Sequence, residues 1–302
     1  MSVENAHAKA SLNSYCKDKG WLFSDMQSCF AARGVCTTEV PILNADFWLC
    51  VRSSELQLSP NIRRTVVQVH SMEPHDVSLF NAAKGVIFTH PMQLLLWQKA
   101  GFKGHYTIRP IGARKGIISC NEIPAAMTLG FFCGENRKKW KGSNKFMKVV
   151  EVVRQSKPLE CLMIGRGLSH VAHLGVYEQR AAGVNDYARI DALFCASISP
   201  GVPLSVYEAC AAGVPVITTP RWFPPGRWRG VHLCENQSGM VRILKKIITD
   251  RIEIGKSRTD RACAPFVFED WIDFSIKYSL INRKIATSLE AISYGKMEMG
   301  AC

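Results

Sequence analysis

Short apolar runs alternate with longer amphipathic segments along this chain, and the alternation begins twice. In the first part, four runs rich in β-branched and aromatic residues indicate strands, at residues 45–51, 64–70, 84–90 and 105–111. Segments with helical spacing at 23–34 and 91–101 end at Gly34 and Gly101, which are typical helix stops. This order of strands and helices predicts a parallel sheet.

The pattern restarts after a proline-containing bridge at 121–127. Five further runs are candidate strands, at residues 128–134, 159–165, 188–197, 214–219 and 230–235. Their near-continuous apolarity fits a sheet covered on both faces. Helical segments separate several of them, at residues 143–156, 203–213 and 238–250. The sequence therefore predicts an α/β protein with two Rossmann-like domains whose parallel sheets face a central cleft.

Composition supports a folded protein of two domains. The chain has 302 residues, of which 47% are hydrophobic and 21% are charged, and this length allows two cores of about 150 residues each. We predict an N-terminal domain at 1–125, a C-terminal domain at 126–267 and a terminal segment at 268–302. Residues 268–285 have the amphipathic period of a helix.

The cysteine pattern and the apolar stretches bear on the cellular compartment. The 12 cysteines are scattered and form no C-x-x-C pair, so neither a zinc knuckle nor a redox pair is indicated. The N-terminus lacks the apolar core of a secretory signal, and no uncharged stretch is long and unbroken enough to form a transmembrane segment. We expect a cytoplasmic protein with reduced thiols.

The net charge of +13 favours anionic partners. Nucleic acid, an anionic membrane surface and phosphorylated small molecules all fit a field of this sign, and so does a solvated basic surface without a dedicated partner.

The stretch 187–220 carries the clearest chemistry. It predicts a buried strand, a Gly/Pro turn, a short helix from near Ser205 to Gly213, and another buried strand. A turn before a helix presents free N–H groups and the positive end of the helix dipole, which favour a bound phosphate. Glu208 suits sugar hydroxyls such as a ribose diol. Alternatively, Ser205 and Glu208 form an S-x-x-E capping box, and Glu208 then only satisfies a backbone N–H.

The run from Asp191 through GVPL (201–204) and YEA (207–209) to AGVPVI (212–217) closely resembles the nucleotide-sugar motif of glycosyltransferase family four and its GT-B relatives. In that family two glutamates separated by seven residues flank the turn. Glu208 matches the second, whereas Pro200 occupies the position of the first, which leaves the donor sugar open. The resemblance implies nucleotide-sugar binding by Gly201, Val202, Pro203, Leu204, Ser205 and Glu208.

A second match lies after the first strand of the second domain. Lys141, which precedes Gly142, resembles the family's lysine that neutralises the donor diphosphate, and Arg137 is the candidate for the accompanying arginine, with Lys138 as its rival. Paired cations stabilise the charge that builds up on a departing diphosphate. The alternative is a solvated basic loop.

His70 ends the run TVVQVH and resembles the family's strand-end histidine that contacts the transferred sugar. A structural histidine is the alternative, and the following Glu73, His75 and Asp76 match no strong metal signature.

No D-x-D occurs in the chain. The resemblance implies that protein cations replace a metal, so we expect no metal and no cofactor beyond the nucleotide sugar, with a UDP-sugar as the expected donor.

The resemblance implies a retaining glycosyltransferase whose C-terminal segment, 268–302, crosses back to the first domain as a helix. Our leading acceptor is duplex DNA with modified bases, as in phage DNA glucosyltransferases. The exposed-looking loop 221–230 supplies candidate acceptor-binding residues for it: Arg221, Trp222, Arg227 and Trp228. A packed structural loop is the alternative there.

Two other functions compete with this one. The first is transfer to a lipid-linked or envelope saccharide at a peripheral anionic membrane, and the second is a non-catalytic nucleotide-sugar- or DNA-binding protein.

Overall fold

The computed structural model describes residues 11–17, 21–71, 73–113, 126–133, 141–197, 204–220, 230–254 and 268–280. The chain divides into two compact units, Met1–Pro110 with Glu269–Cys302, and Ile111–Phe268. The N-terminal segment of the first unit therefore ends at Pro110, whereas we expected a boundary after residue 125.

The first unit contains one sheet of six strands, in the order β2-β1-β3-β4-β5-β6, and every pair is parallel. Its strands are β1 (Leu12–Tyr15), β2 (Cys36–Thr38), β3 (Phe47–Cys50), β4 (Thr65–Val69), β5 (Gly85–Phe88) and β6 (Tyr106–Ile108). Its first three helices are α1 (Trp21–Ala31), α2 (Val77–Ala82) and α3 (Pro91–Lys99). Gly34 and Gly101 follow α1 and α3 with positive φ, as expected for helix stops.

The first two strands were not predicted, because β1 and β2 are short and polar. Asn13 and Ser14 are fully buried in β1. The Asn13 amide donates to the Cys36 carbonyl (3.1 Å) and to Thr38 Oγ1 (3.0 Å), and Ser14 donates to Gln27 Oε1 (2.9 Å). Hydrogen bonds thus satisfy polar side chains that an apolar pattern cannot reveal.

The first sheet buries both faces. Alternate residues of β3, β4 and β5 pack with α2 and α3, namely Trp48, Cys50, Val67, Val69, Val86 and Phe88 against Phe80, Leu94 and Trp97. The alternate residues Leu49, Val66, Gln68 and Ile87 point to the other face and are also fully buried. This period of two fits a sheet covered on both sides.

The second unit repeats the design with six parallel strands in the order β12-β11-β10-β7-β8-β9. They are β7 (Thr128–Phe132), β8 (Glu160–Ile164), β9 (Val176–Glu178), β10 (Ala192–Cys195), β11 (Val216–Thr218) and β12 (Val231–Leu233). The α-helices in its described residues are α4 (Ser143–Arg154), α5 (Leu204–Ala211) and α6 (Gln237–Ile254). The helices α4 and α6 share one core with the sheet, and α5 packs into the other.

The strand predicted at 188–197 is shorter than expected, because residues Val184–Arg189 form a 3-10 helix. An ion-pair network holds this segment. Arg180 donates to both carboxylate oxygens of Asp186 (2.7 and 2.6 Å), and Arg189 contacts Asp186 (3.1 Å) and Glu178 (2.5 Å). The network also ties the segment to β9, an edge strand of three residues that the apolar pattern missed.

The last described helix, α7 (Phe268–Leu280), lies on the first sheet. The Trp271 indole donates to the Arg109 carbonyl (3.1 Å), and Arg33 pairs with Asp273. Buried Lys84 donates to the Ser279 carbonyl (2.6 Å), where a cation complements the end of a helix. Residues after Leu280 in the expected 268–302 segment lie outside the described range.

Among the helices that the structure describes, none combines the length and the apolarity needed to cross a membrane.

The packing of α7 predicts the behaviour of Gly85→Ala. A Cβ at Gly85 would lie 2.8 Å from a ring carbon of Tyr278, so we expect a loss of about 1–3 kcal/mol in the free energy of unfolding. The Tyr278→Leu background removes those ring atoms and should reduce this cost. Equal costs in both backgrounds, measured by urea denaturation, would contradict the packing of α7 on β5.

Candidate functional site

The strand order of the second sheet identifies where a ligand fits. The neighbours β7 and β10 pair in parallel, and the chain continues outward from them on opposite sides, to β8 and β9 and to β11 and β12. In open parallel sheets, ligands bind beyond the carboxyl ends of the strands at such a reversal. The segment with Lys141 follows β7, and α5 follows β10. Both segments singled out in the sequence therefore leave the sheet at the same point.

Gly142 brings the Lys141 segment against the end of β10. It has a φ of 79°, and a Cβ built on it would lie 2.4 Å from the Ala196 carbonyl oxygen. Only glycine permits this approach. The Gly142 carbonyl then accepts the first helical hydrogen bond of α4 from the Phe146 N–H (3.0 Å).

Cys195, the last residue of β10, is influenced by both Lys141 and Ser205. Burial raises the pKa of its thiol, and the Lys141 charge and a hydrogen bond from the Ser205 hydroxyl act in the opposite direction. The Gly142 contact with the carbonyl of Ala196, the residue after Cys195, brings the Lys141 segment to this end of β10. A cation and the first turn of a helix together favour an anion at this edge.

Glu208 is held inside the second unit at 2% exposure. Its Oε2 accepts a hydrogen bond of 2.5 Å from the hydroxyl of buried Tyr187. Ser205 lies inside α5, after its first residue Leu204, whereas the capping box requires its serine before the helix. The ribose-binding role of Glu208 stays a prediction.

Tyr187 is a hydrogen-bond partner of Glu208 that sequence reasoning missed. It lies in the 3-10 helix before β10, where the ion-pair network of Arg180 and Asp186 fixes the segment. The sequence did offer one signal: Tyr187 begins the 187–220 stretch, which was predicted to be buried. A buried tyrosine needs a hydrogen-bond partner for its hydroxyl.

His70 directly follows β4 at the carboxyl edge of the first sheet. Its ring lies between Phe23 and Trp271, with ring centroids 5.5 and 6.1 Å away. Both ring nitrogens are buried without a well-formed hydrogen bond to a described residue. Burial lowers the pKa of His70 to about 4, although the nearby Val51 backbone raises it slightly. The imidazole is therefore neutral at pH 7.

Several predicted site residues lie outside the described residues: Arg137, Gly201, Val202, Pro203, Arg221, Trp222, Arg227 and Trp228. Of the donor-binding set, Lys141, Leu204, Ser205 and Glu208 are described, and all belong to the second unit.

No metal-binding group of three or more His, Cys, Asp or Glu side chains occurs in the described part of the chain. His75 packs edge-on against Phe80 and Trp97, at centroid distances of 5.4 Å each, and its Nδ1 lies 3.2 Å from the Glu73 carbonyl oxygen. These contacts give His75 a packing role.

No protein-family model matches this sequence, and no curated protein matches it either. Solved structures do. A sucrose-phosphate synthase from Thermosynechococcus elongatus is 11% identical with a TM-score of 0.64, and the match covers 94% of this chain and 98% of that one. WaaG, a glycosyltransferase involved in lipopolysaccharide biosynthesis, is 13% identical with a TM-score of 0.58 and coverage of 94% and 100%. The chain has the GT-B fold.

A third match agrees with this fold. The α,α-trehalose 6-phosphate synthase from Burkholderia multivorans is 10% identical with a TM-score of 0.57, and the match covers 81% of this chain and 72% of that one. The predicted fold class, α/β of the GT-B type with two Rossmann-like parallel sheets, is confirmed.

The buried His70 predicts a pH-dependent stability. Its pKa is about 4 in the folded chain and 6.5 ordinarily, so between these values the unfolded chain binds a proton that the folded chain does not. The free energy of unfolding should therefore decrease as the pH drops from 6.5 to 4. The decrease should be up to about 3 kcal/mol larger in the wild type than in His70→Gln. An NMR titration giving His70 a pKa near 6.5 would contradict this environment.

Proposed function

We propose that this chain is a glycosyltransferase that moves a sugar from a nucleotide-sugar donor to an acceptor hydroxyl, with the second unit binding the nucleotide. One observation carries the proposal: the contact of Gly142 with the Ala196 carbonyl brings the Lys141 segment to the carboxyl end of β10, the strand that α5 follows in the chain, at the point where the strand order reverses.

The chemistry of sugar transfer needs this kind of site. The bond between the anomeric carbon and the diphosphate oxygen breaks, the acceptor oxygen bonds to that carbon, and the acceptor hydroxyl loses its proton as the nucleoside diphosphate departs. Negative charge grows on the diphosphate during this step. A cation and helix N–H groups fixed in advance stabilise that charge without reorganising.

The solved structures support a nucleotide-sugar donor. The pneumococcal O-GlcNAc transferase GtfA, with a TM-score of 0.51 and 12% identity, was crystallised with UDP and GlcNAc; the match covers 81% of this chain and 56% of that one. A UDP-sugar is therefore the first donor to test.

The remaining roles follow the family resemblance. Arg137 would join Lys141 at the diphosphate, residues 201–205 would contact phosphate and sugar, and Glu208 would bind the ribose, with its carboxylate oriented by Tyr187. His70, neutral and short of hydrogen-bond partners, is the first unit's candidate for contact with the transferred sugar. Transfer with retention is proposed on the same resemblance.

Two acceptors are in question. The net charge of +13 supports a polyanion such as DNA with modified bases. The saccharide alternative is supported by WaaG and by WaaB, a lipopolysaccharide outer core galactosyltransferase with a TM-score of 0.58 and 9% identity, covering 93% of this chain and 100% of that one.

A non-catalytic nucleotide-sugar-binding protein would differ from an enzyme in a simple assay. Slow hydrolysis of the donor without acceptor favours the enzyme, and tight nucleotide binding without turnover favours the binding protein.

Lys141→Ala tests the proposed donor site. We expect sugar transfer, or donor hydrolysis, to fall by about 100-fold or more because the leaving diphosphate loses its fixed cation. Lys148→Ala removes an exposed lysine of the same helix region and should behave like the wild type. Mass spectrometry of a nucleotide-sugar panel gives the rates. Full turnover in a folded Lys141→Ala protein would remove the assignment.

Salt dependence tests the DNA acceptor. If cationic side chains contact phosphates, the logarithm of the DNA-binding constant should fall linearly with log salt, with a slope of about −0.9 for each phosphate contacted. Fluorescence anisotropy with duplex DNA measures this. An absence of binding at low ionic strength would point to the saccharide acceptor.

A further inference from the structure

His170 and Ser143 meet at the carboxyl edge of the second sheet. His170 Nε2 lies 3.0 Å from Ser143 Oγ. Ser143 is the first residue of α4 and is 3% exposed, and His170 belongs to the 3-10 helix Ser169–Leu174, which follows β8. The hydrogen bond therefore joins the connections that leave two neighbouring strands, β7 and β8.

The pair lies next to the cation of the proposed diphosphate site. Ser143 follows Lys141 and Gly142 directly, and Gly142 is confined on its other side by the Ala196 carbonyl. A restraint on Ser143 therefore restricts the backbone that carries Lys141. A charge stabilises a transition state best when it is fixed before the reaction.

We propose that His170 is a positioning residue for the diphosphate site: through its hydrogen bond to Ser143 it holds the start of α4 and thereby places Lys141. This inference rests on the proposed function, because it assigns His170 a task in the same site. His170 itself need not contact the nucleotide.

The chain offers a matched control at the other end of α4. Arg154, the last residue of this helix, donates to the Leu174 carbonyl (2.5 Å) and to the Leu159 carbonyl (2.9 Å). It thus ties α4 to the same 3-10 helix as His170 does, but about 16 Å along the helix axis from Ser143. Arg154→Met disturbs the same packing away from Lys141.

The experiment compares UDP with UMP, which lacks the β-phosphate, by isothermal titration calorimetry. If ADP or GDP binds more tightly than UDP, that diphosphate and its monophosphate replace UDP and UMP in the comparison. The proteins are the full chain with His170→Leu, His170→Gln, Ser143→Ala, Arg154→Met and Lys141→Ala, together with the double variant His170→Leu/Lys141→Ala.

We expect His170→Leu and Ser143→Ala to weaken UDP binding about tenfold and UMP binding less than about twofold. His170→Gln should recover most of the loss, because its amide nitrogen can reach the position of Nε2. Arg154→Met should leave the ratio of UDP to UMP affinity unchanged even if it lowers the melting temperature. In the Lys141→Ala background, His170→Leu should cause no further loss of UDP affinity.

Equal weakening of UDP and UMP by His170→Leu, or a full additive loss in the Lys141→Ala background, would overturn the positioning role while leaving the proposed function in place. If His170→Leu does not fold, the same comparison on Ser143→Ala and His170→Gln decides the matter. If Lys141→Ala itself binds UDP like the wild type, the assignment of Lys141 to the diphosphate site fails, and the inference fails with it; if the wild type binds none of the nucleoside diphosphates, the proposed function fails.

Discussion

The candidate site depends on the close approach of Gly142 to the Ala196 carbonyl. A side chain at residue 142 would meet that oxygen at 2.4 Å, so the connection after β7 reaches the end of β10 only because residue 142 is glycine. The parallel pairing of β7 with β10 supplies the edge, and Gly142 closes the distance. Lys141 before it and Ser143 after it are placed by the same contact.

Buried polar groups fix the remaining parts of each unit. In the second unit, the Tyr187 hydroxyl binds Glu208, and the Arg180–Asp186 pairs hold the segment that carries Tyr187. In the first unit, Lys84 binds the end of α7, while His70 keeps two buried nitrogens without good partners. Unsatisfied buried nitrogens are costly, and they are more often found where a ligand or water completes the hydrogen bonding. The two His70 nitrogens, at the carboxyl edge of the first sheet, are in this situation.

Hydrophobic patterning predicted the fold well wherever strands are apolar. The runs at 64–70, 84–90, 128–134 and 159–165 each contain an observed strand. Hydrophobic patterning did not predict β1, β2 or β9. In β1 and β2, hydrogen bonds satisfy polar side chains, and β9 is a short strand at the edge of its sheet. The predicted strand at 188–197 was too long, because ion pairs of Arg180, Asp186 and Arg189 hold the residues before β10 in a 3-10 helix, and an apolar pattern does not register ion pairs.

For the candidate site, local motifs singled out Lys141, Ser205 and His70, and their roles stay predictions. The partners that orient the site residues were not predictable. Tyr187 and His170 act through contacts with Glu208 and Ser143, which are distant in sequence and are brought close only by the pairing of the strands. A motif specifies which residue types recur along the chain, whereas these contacts depend on which loops share a sheet edge.

The most direct test of the central claim is a crystal structure of the chain with bound UDP. The account predicts the diphosphate at the carboxyl ends of β7 and β10, with an oxygen within about 4 Å of Lys141 Nζ and with the first turn of α5 facing it. Well-ordered UDP whose diphosphate lies elsewhere on the molecule, away from both Lys141 and α5, would contradict it.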